Sequence, residues 1–189
     1  MDTIMGLPET ASGYTNLLVI IDTFSRYIEL FPMKELTAEA TTQHLKSWMN
    51  RYGRPLNILT DNASQFKAVF EATLNNVGIE NQKIHPYSHQ ENSIVERANR
   101  EILRHLRNFM YDHRIINEWD MFVGDVQRIK NASPRQSTGA SPAELVFGNS
   151  SRLDRHTYYS TPPETTPENM FAYLERQRQR QENRPAFLK

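Results

Sequence analysis

Two acidic residues stand where phosphate chemistry would use them. Asp61 follows a short apolar run, Leu56 to Thr60, and Glu96 lies near the start of a long amphipathic segment, with 96 − 61 − 1 = 34 residues between them. Mg²⁺ is a hard cation that takes oxygen ligands and grips substrate phosphates through one or two protein carboxylates. A two-ion centre therefore needs a few acids arriving from separate elements. Hydrogen-bonding side chains flank both candidates: Asn62, Ser64 and Gln65 after the first, and Tyr87, His89, Gln90 and Asn92 before the second. On residue types alone, a further acid has two contenders. Asp22 ends the apolar run that begins at Tyr14, with Thr23, Ser25 and Arg26 behind it, and Asp2 opens the chain's first β-branched and apolar stretch. Asp22 has the plainer alternative of a turn residue accepting backbone N–H bonds.

The elements that must position these acids follow from periodicity and punctuation. Asp2 to Leu7 reads as a strand leading into a turn from Pro8 to Gly13. Tyr14 to Asp22 and Arg26 to Met33 read as a hairpin whose first strand is well buried. Thr37 can cap a helix that runs to Tyr52 and stops at Gly53. Leu56 to Thr60 is a short strand, Gln65 to Val77 a helix ended by Gly78, and Glu80 to Ile84 another strand. Pro86 to Asn92 is a polar loop, and a helix from about Ser93 reaches His113. Trp119 to Asn131 is helical, and Ser141 opens a short helix with Pro142 at its first position. The order is α/β.

The helix carrying Glu96 has two unlike faces. At about 100° per residue, with Glu96 at zero, Arg100, Arg104 and Arg107 fall at roughly 40°, 80° and 20°, and Arg97 at about 100°. Val95, Ala98, Ile102, Leu106 and Phe109 gather between roughly 200° and 280°. One face is core. The other is a stripe of four arginines beside a candidate metal ligand, suited to a DNA backbone or, more plainly, to solvent. Ser64 is likewise open to two readings, as an N-cap and as a residue facing a phosphate at a helix start. His89 has no evident partner and reads as exposed, while Trp48 and Phe147 sit at apolar spacing and read as core.

With 189 residues, the chain is long enough for one domain with a proper core plus a short appendage. The absence of Cys excludes disulfides and thiolate metal sites. No apolar run approaches membrane-spanning length, and the start lacks the basic-then-apolar pattern of a signal peptide, so a soluble protein is expected. Lys plus Arg and Asp plus Glu both number 22, so any affinity for nucleic acid has to come from where the charge sits rather than from an excess.

Five blocks resemble, in order, the catalytic core of retroviral and retrotransposon integrases, most closely the Ty3/Gypsy type with its Asp, Asp, Glu triad. They are Asp2 to Pro8, Leu18 to Arg26, Ile58 to Asn62, Asn92 to Arg100, and Thr138 to Gly148. The resemblance selects Asp2 over Asp22, because Gly6-Leu7-Pro8 matches the motif after the family's first acid. It implies that Asp2, Asp61 and Glu96 are catalytic and bind two Mg²⁺ ions, with Mn²⁺ as a possible substitute. It implies an RNase H-like fold, a five-stranded mixed sheet flanked by helices, over residues 1–150. A polar linker over 151–189, with a helix from Glu168 to Gln181, would then lead towards a C-terminal domain. Full-length integrases carry a His/Cys zinc domain ahead of the core, so the resemblance makes this chain a fragment.

The implied activity is Mg²⁺-dependent 3′-end processing and strand transfer into target DNA by a nucleotidyltransferase. Asn62 and Ser64 would lie near target DNA, and Tyr87, Gln90 and Asn92 near the element's end, with Arg97, Arg100, Arg104 and Arg107 on the backbone. DNA, a homodimer or higher homo-oligomer, and a nuclear pre-integration complex are the implied partners and location. Three departures stand out: the spacing to Glu96 is one residue short of the family's usual value, Ala63 and Ser93 replace frequent glycines, and His89 replaces a proline. They keep open a non-catalytic DNA-tethering or assembly module from a decayed or host-recruited element. An RNase H-like transposase or nuclease would share the same acids.

Overall fold

Leu17 to Ile21 is apolar on both faces, and the molecule is built around it. A strand buried on two sides reads as a continuous apolar run rather than an alternating one. The computed structural model describes residues 1–83, 89–114, 116–136 and 138–148, with side chains of the long third helix described from Ile94 onward. Strand β2 (Asn16–Ile21) lies between β1 (Asp2–Ile4) and β3 (Ile28–Met33), antiparallel to both. Asp2 is opposite Val19, and Ile21 opposite Ile28. Pro32 sits in β3, which among the described strands borders only β2, where a missing N–H can face outward.

Strands β4 (Asn57–Thr60) and β5 (Glu80–Lys83) pair in parallel. Instead of the expected five-stranded sheet, the described strands form a three-stranded sheet and a two-stranded one. The reason lies in the hydrogen bonds. A ladder needs repeated backbone pairs, and the described bond from this end of β1 to β4 is a single one, from the Met1 ammonium to Leu59 O at 2.6 Å. A side-chain bond, Gln65 Nε2 to Thr3 Oγ1 at 3.3 Å, adds a second tie.

Helices cover both faces of the three-stranded sheet. On one face, Ile4, Leu17, Val19, Ile21, Ile28 and Leu30 pack with Val95, Ala98, Ile102 and Leu106 of α3 (His89–His113). Trp119 is fully buried on this side and donates from Nε1 to Pro8 O at 2.6 Å. On the other face, Met1, Leu18, Ile20 and Met33 pack with Leu45 of α1 (Ala38–Tyr52) and with Phe70 and Leu74 of α2 (Val69–Asn76). Thr37 caps α1 as expected, accepting from the Ala40 N–H, and Gly53 with φ 88° ends it. α1 is also pinned by charge, because Arg51 and the Tyr52 hydroxyl donate to the buried Glu29 carboxylate of β3 at 2.6 and 2.8 Å.

Two expected helices are broken. The segment from Gln65 to Val77 is a 3₁₀ turn at Ser64–Phe66, a reversal at Ala68 (φ 50°, ψ −110°), and then α2. The break lets Gln65 point at Thr3 while Phe66 and Phe70, with centroids 5.4 Å apart, both enter the core. Ser64 opens the turn, and Ala63 holds the cap position with no side-chain bond, so Ser64 is not an N-cap. Trp119–Phe122 is likewise a 3₁₀ turn ahead of α4 (Val123–Ala132).

Residues Met1–Thr23 and Ile28–Gln127 form one compact unit, and Phe24–Tyr27 with the chain from Arg128 form another. In the second, α5 (Pro142–Phe147) has a complete capping box between Ser141 and Glu144. Phe147, expected in the core, is 57% exposed, with its ring edge-on to Tyr27 at 5.6 Å. It lies in the last turn of a six-residue helix, too short to bury its whole apolar set. The expected linker over 151–189 and its helix lie outside the described residues. Among the described residues, no helix is long and apolar enough to cross a membrane.

Candidate active site

Asp2 is placed by the register of β1. Antiparallel pairing puts it opposite Val19, whose side chain belongs to the α3 side of the sheet, and alternation along the strand puts Met1 on the α1 side. Its carboxylate is half-buried and held at both oxygens. Oδ1 accepts from the Thr3 N–H at 2.7 Å, and Oδ2 accepts from Asn99 Nδ2 of α3 at 2.6 Å. Burial pushes the Asp2 carboxyl above its ordinary range, the Thr3 amide pulls it back, and the negative charge of Asp61 raises it again.

Asp61 is the residue after β4. It is exposed, and its Oδ1 accepts from the Ala63 N–H at 3.0 Å, a local turn that sets the carboxylate at the strand end. The chain's first and second candidate acids thus share one electrostatic neighbourhood. The Met1 ammonium lies there too. Burial lowers its pKa to about 6, against the attraction of Asp2 and Asp61. Asp22, the competitor, is three positions along β2 from Val19, a rise of about 10 Å, and lines a cavity beyond Met1.

Glu96 is exposed near the start of α3, and Asn99 is one turn further on, so the helix segment that carries Glu96 is docked on Asp2 through its neighbour. Among the described residues, no three acidic or histidine side chains form a group that could hold an ion. Asp2 and Asp61 are brought together; Glu96 is not placed with them.

The arginine stripe behaves as the helical wheel requires. Val95, Ala98, Ile102 and Leu106 are buried, Phe109 packs against them, and Arg97, Arg100, Arg104 and Arg107 are exposed, none in an ion pair with another described residue. Asn62 and Ser64 are exposed beside Asp61. Tyr87 and the side chains of Gln90 and Asn92 lie outside the described residues, as does that of His89.

Two polar contacts to β1 were not evident from motif reading. Asn99 sits about 60° from Glu96 on the helical wheel, on the border of the apolar stripe, where a polar residue is semi-buried and needs a partner. Its Oδ1 is buried without a hydrogen-bond partner in the described structure. Gln65, read as part of a helix start, is instead buried against β1.

Comparison with known proteins bears on the family and the fold. Residues 1–89 match the family model described as integrase core domain. The chain is 23% identical over 158 residues to the retrovirus-related Pol polyprotein from transposon 412 of Drosophila melanogaster, covering 82% of this chain and 13% of that protein. It is 30% identical over 149 residues to the Pro-Pol polyprotein of simian foamy virus type 3, covering 78% of this chain and 13% of that one. The chain therefore spans about an eighth of these relatives' length.

Among solved structures, a simian T-cell lymphotropic virus intasome in complex with PP2A regulatory subunit B56 gamma superposes with a TM-score of 0.67. The identity is 19%, over 88% of this chain and 57% of that one. The HTLV-2 integrase catalytic core domain in complex with magnesium (trimeric form) gives a TM-score of 0.60 at 20% identity, over 76% of this chain and 99% of that one. These likenesses fix the fold as that of an integrase catalytic core, RNase H-like and mixed α/β. The match over residues 1–89 is to the integrase core domain, and the relatives are Pol polyproteins of retroviruses and retrotransposons.

Proposed function

We propose that this chain is the catalytic core of a retroelement integrase, a polynucleotidyl transferase that trims the 3′ ends of element DNA and joins them to target DNA by direct transesterification. The pairing of Asp2 with Asp61, each at the end of a strand, carries the reading. A divalent cation fits this donor set. Two carboxylates in mutual repulsion, one of them half-buried, gain from a dication that offsets both the desolvation and the like charge.

Asp2, Asp61 and Glu96 would hold two Mg²⁺ ions, for which Mn²⁺ could substitute. Bound there, the ions supply activation of the attacking water or 3′-OH and neutralisation of charge on the in-line phosphoryl transition state. The chain's own groups do the positioning. Asn99 and the Thr3 N–H fix the Asp2 carboxylate, the Ala63 N–H orients Asp61, and Glu96 supplies the third acid from one turn ahead of Asn99. No side chain is needed as a covalent nucleophile.

Arg97, Arg100, Arg104 and Arg107 would lie along the DNA backbone, with Asn62 and Ser64 towards target DNA and Tyr87, Gln90 and Asn92 towards the element's end. One structural relative is an intasome and another is trimeric, which supports DNA and a homodimer or higher homo-oligomer as the assembly. A nuclear site of action follows from the same reading.

Asp61→Asn and Glu96→Gln are each expected to abolish Mg²⁺-dependent strand joining on a DNA end mimic while leaving the thermal unfolding transition in place. Retained joining in the double variant would end the assignment. A second reading, a non-catalytic tethering module, is favoured by one observation: no three-acid group forms among the described residues. Calorimetric titration with Mn²⁺ separates the two, since millimolar binding abolished by Asp61→Asn supports the enzyme and no binding supports the module.

A further inference from the structure

The second compact unit carries an apolar surface that its own described residues leave open. Phe147 ends α5 with Val146 beside it, and Phe24 belongs to the same β2–β3 connection as Tyr27, whose ring meets Phe147 edge-on at 5.6 Å. Phe24 is 43% exposed and Val146 37%, alongside Phe147 at 57%. Large apolar side chains grouped on a surface mark a contact site. A helix that ends in a left-handed residue commonly closes with an apolar side chain just beyond it. Gly148 is left-handed, at φ 74°, and donates to Glu144 O, yet the residues that follow are the polar Asn149, Ser150 and Ser151.

The chain that continues from Gly148 holds a complementary segment. Between Asn149 and Lys189, the densest run of large apolar residues is Met170, Phe171, Tyr173 and Leu174. Thr166-Pro167-Glu168 ahead of it has the order of a helix start: a capping hydroxyl, a proline in the first turn and an acid. At about 100° per residue, with Met170 at zero, Leu174 falls at roughly 40°, Phe171 at 100° and Tyr173 at 300°. They make one short apolar stripe, on which Gln177 and Gln181 come next. A stripe of that length suits a small patch rather than a core.

We propose that the segment from Glu168 to Gln181 folds back as a helix and seats Met170, Phe171 and Leu174 on Phe24, Val146 and Phe147, covering this surface in cis. Charge and reach select that occupant. From Pro162 to Glu175 the segment has three glutamates and no basic residue, whereas the described part of the second unit carries Arg26, Arg128, Lys130 and Arg135 against Glu144 alone. Gly148 and Met170 are separated by 170 − 148 − 1 = 21 residues. A flexible connection of that length spans on the order of 25 Å and holds its far end near the patch at roughly millimolar effective concentration. Weak apolar contact is enough under those conditions, since no second molecule has to be recruited.

The test requires neither DNA nor metal, so its outcome is independent of the enzymatic reading. The chain contains no cysteine, so a pair introduced as Val146→Cys with Leu174→Cys reports on this contact alone. Under mild oxidation it is expected to close within one chain at least about tenfold faster than a control pair of Tyr111→Cys with Leu174→Cys. In the cysteine-free chain, the amides of Leu145 and Gly148 bond to Ser141 O and Glu144 O within α5. Their exchange is expected to be about tenfold slower than in a variant carrying Phe171→Asp with Leu174→Asp. Closure at the control rate together with unchanged exchange would overturn the dock. Disulfides that link two chains, with protection that falls on dilution, would overturn the cover in cis in favour of a second copy.

Discussion

Asn99 Nδ2 donates to Asp2 Oδ2 at 2.6 Å, across 97 positions of sequence. That bond docks α3 onto the first strand and fixes which Asp2 oxygen stays engaged. Partners that orient a metal-binding carboxylate typically matter by about 10–100-fold in affinity or activity. Asn99→Ala is therefore expected to raise the Mg²⁺ concentration needed for half-maximal strand joining by about that factor, with little change in Tm. An unchanged Mg²⁺ dependence would mean that the bond serves helix docking alone.

The charge of Asp61 contributes to the raised Asp2 pKa, after burial. Asp61→Asn is accordingly expected to shift the Asp2 carboxyl back towards 3.8, as read by NMR titration of its side-chain carbon. The linkage has a definite sign. A carboxyl whose pKa is raised in the folded state holds its proton more tightly there, so its contribution to stability is full below 3.8 and fades as pH climbs through the folded value. The variant should show a smaller loss over that climb.

His44 on α1 stacks on Phe31 of β3, with centroids 4.5 Å apart, and burial lowers its pKa below 6.5. Arg51 already lies over the same ring at 5.9 Å, so a protonated His44 would add a second cation there. Here the unfolded chain takes up the proton first as pH falls. Stability is expected to be full above 6.5 and to decline below it, and His44→Gln should flatten that decline in a series of thermal melts.

Arg100 and Arg104 are exposed on the face of α3 opposite its buried stripe. If they contact phosphates, Arg100→Ala with Arg104→Ala should weaken DNA binding about equally on any sequence and reduce the slope of log affinity against log salt by about 2. Fluorescence anisotropy at several salt concentrations reads this directly. An unaltered slope would return the stripe to solvent.

Much of the fold was legible because burial leaves a periodic trace. β2 shows itself by five apolar residues in a row, α1 by Thr37 and Gly53 at its ends, and the core face of α3 by Val95, Ala98, Ile102 and Leu106. The breaks at Ala68 and Val123 were hidden, since Phe66, Phe70 and Leu74 keep a helical spacing through a chain that is not continuously helical. α3 also starts earlier than expected, because His89 to Asn92 carry no apolar period to announce it. The site was half legible. Asp61 is announced by the apolar run before it, and Asp2 was set apart from Asp22 by the resemblance alone, whereas the Asn99 contact depends on how a helix docks across a sheet, which no local pattern encodes.

The join between β1 and β4 is laced by one backbone bond, and Asp2 and Asp61 stand on its opposite banks. Met1, Leu18, Ile20 and Ile58 nevertheless pack in one core across that join, so apolar packing rather than a ladder of backbone bonds braces the ground on which the two acids stand.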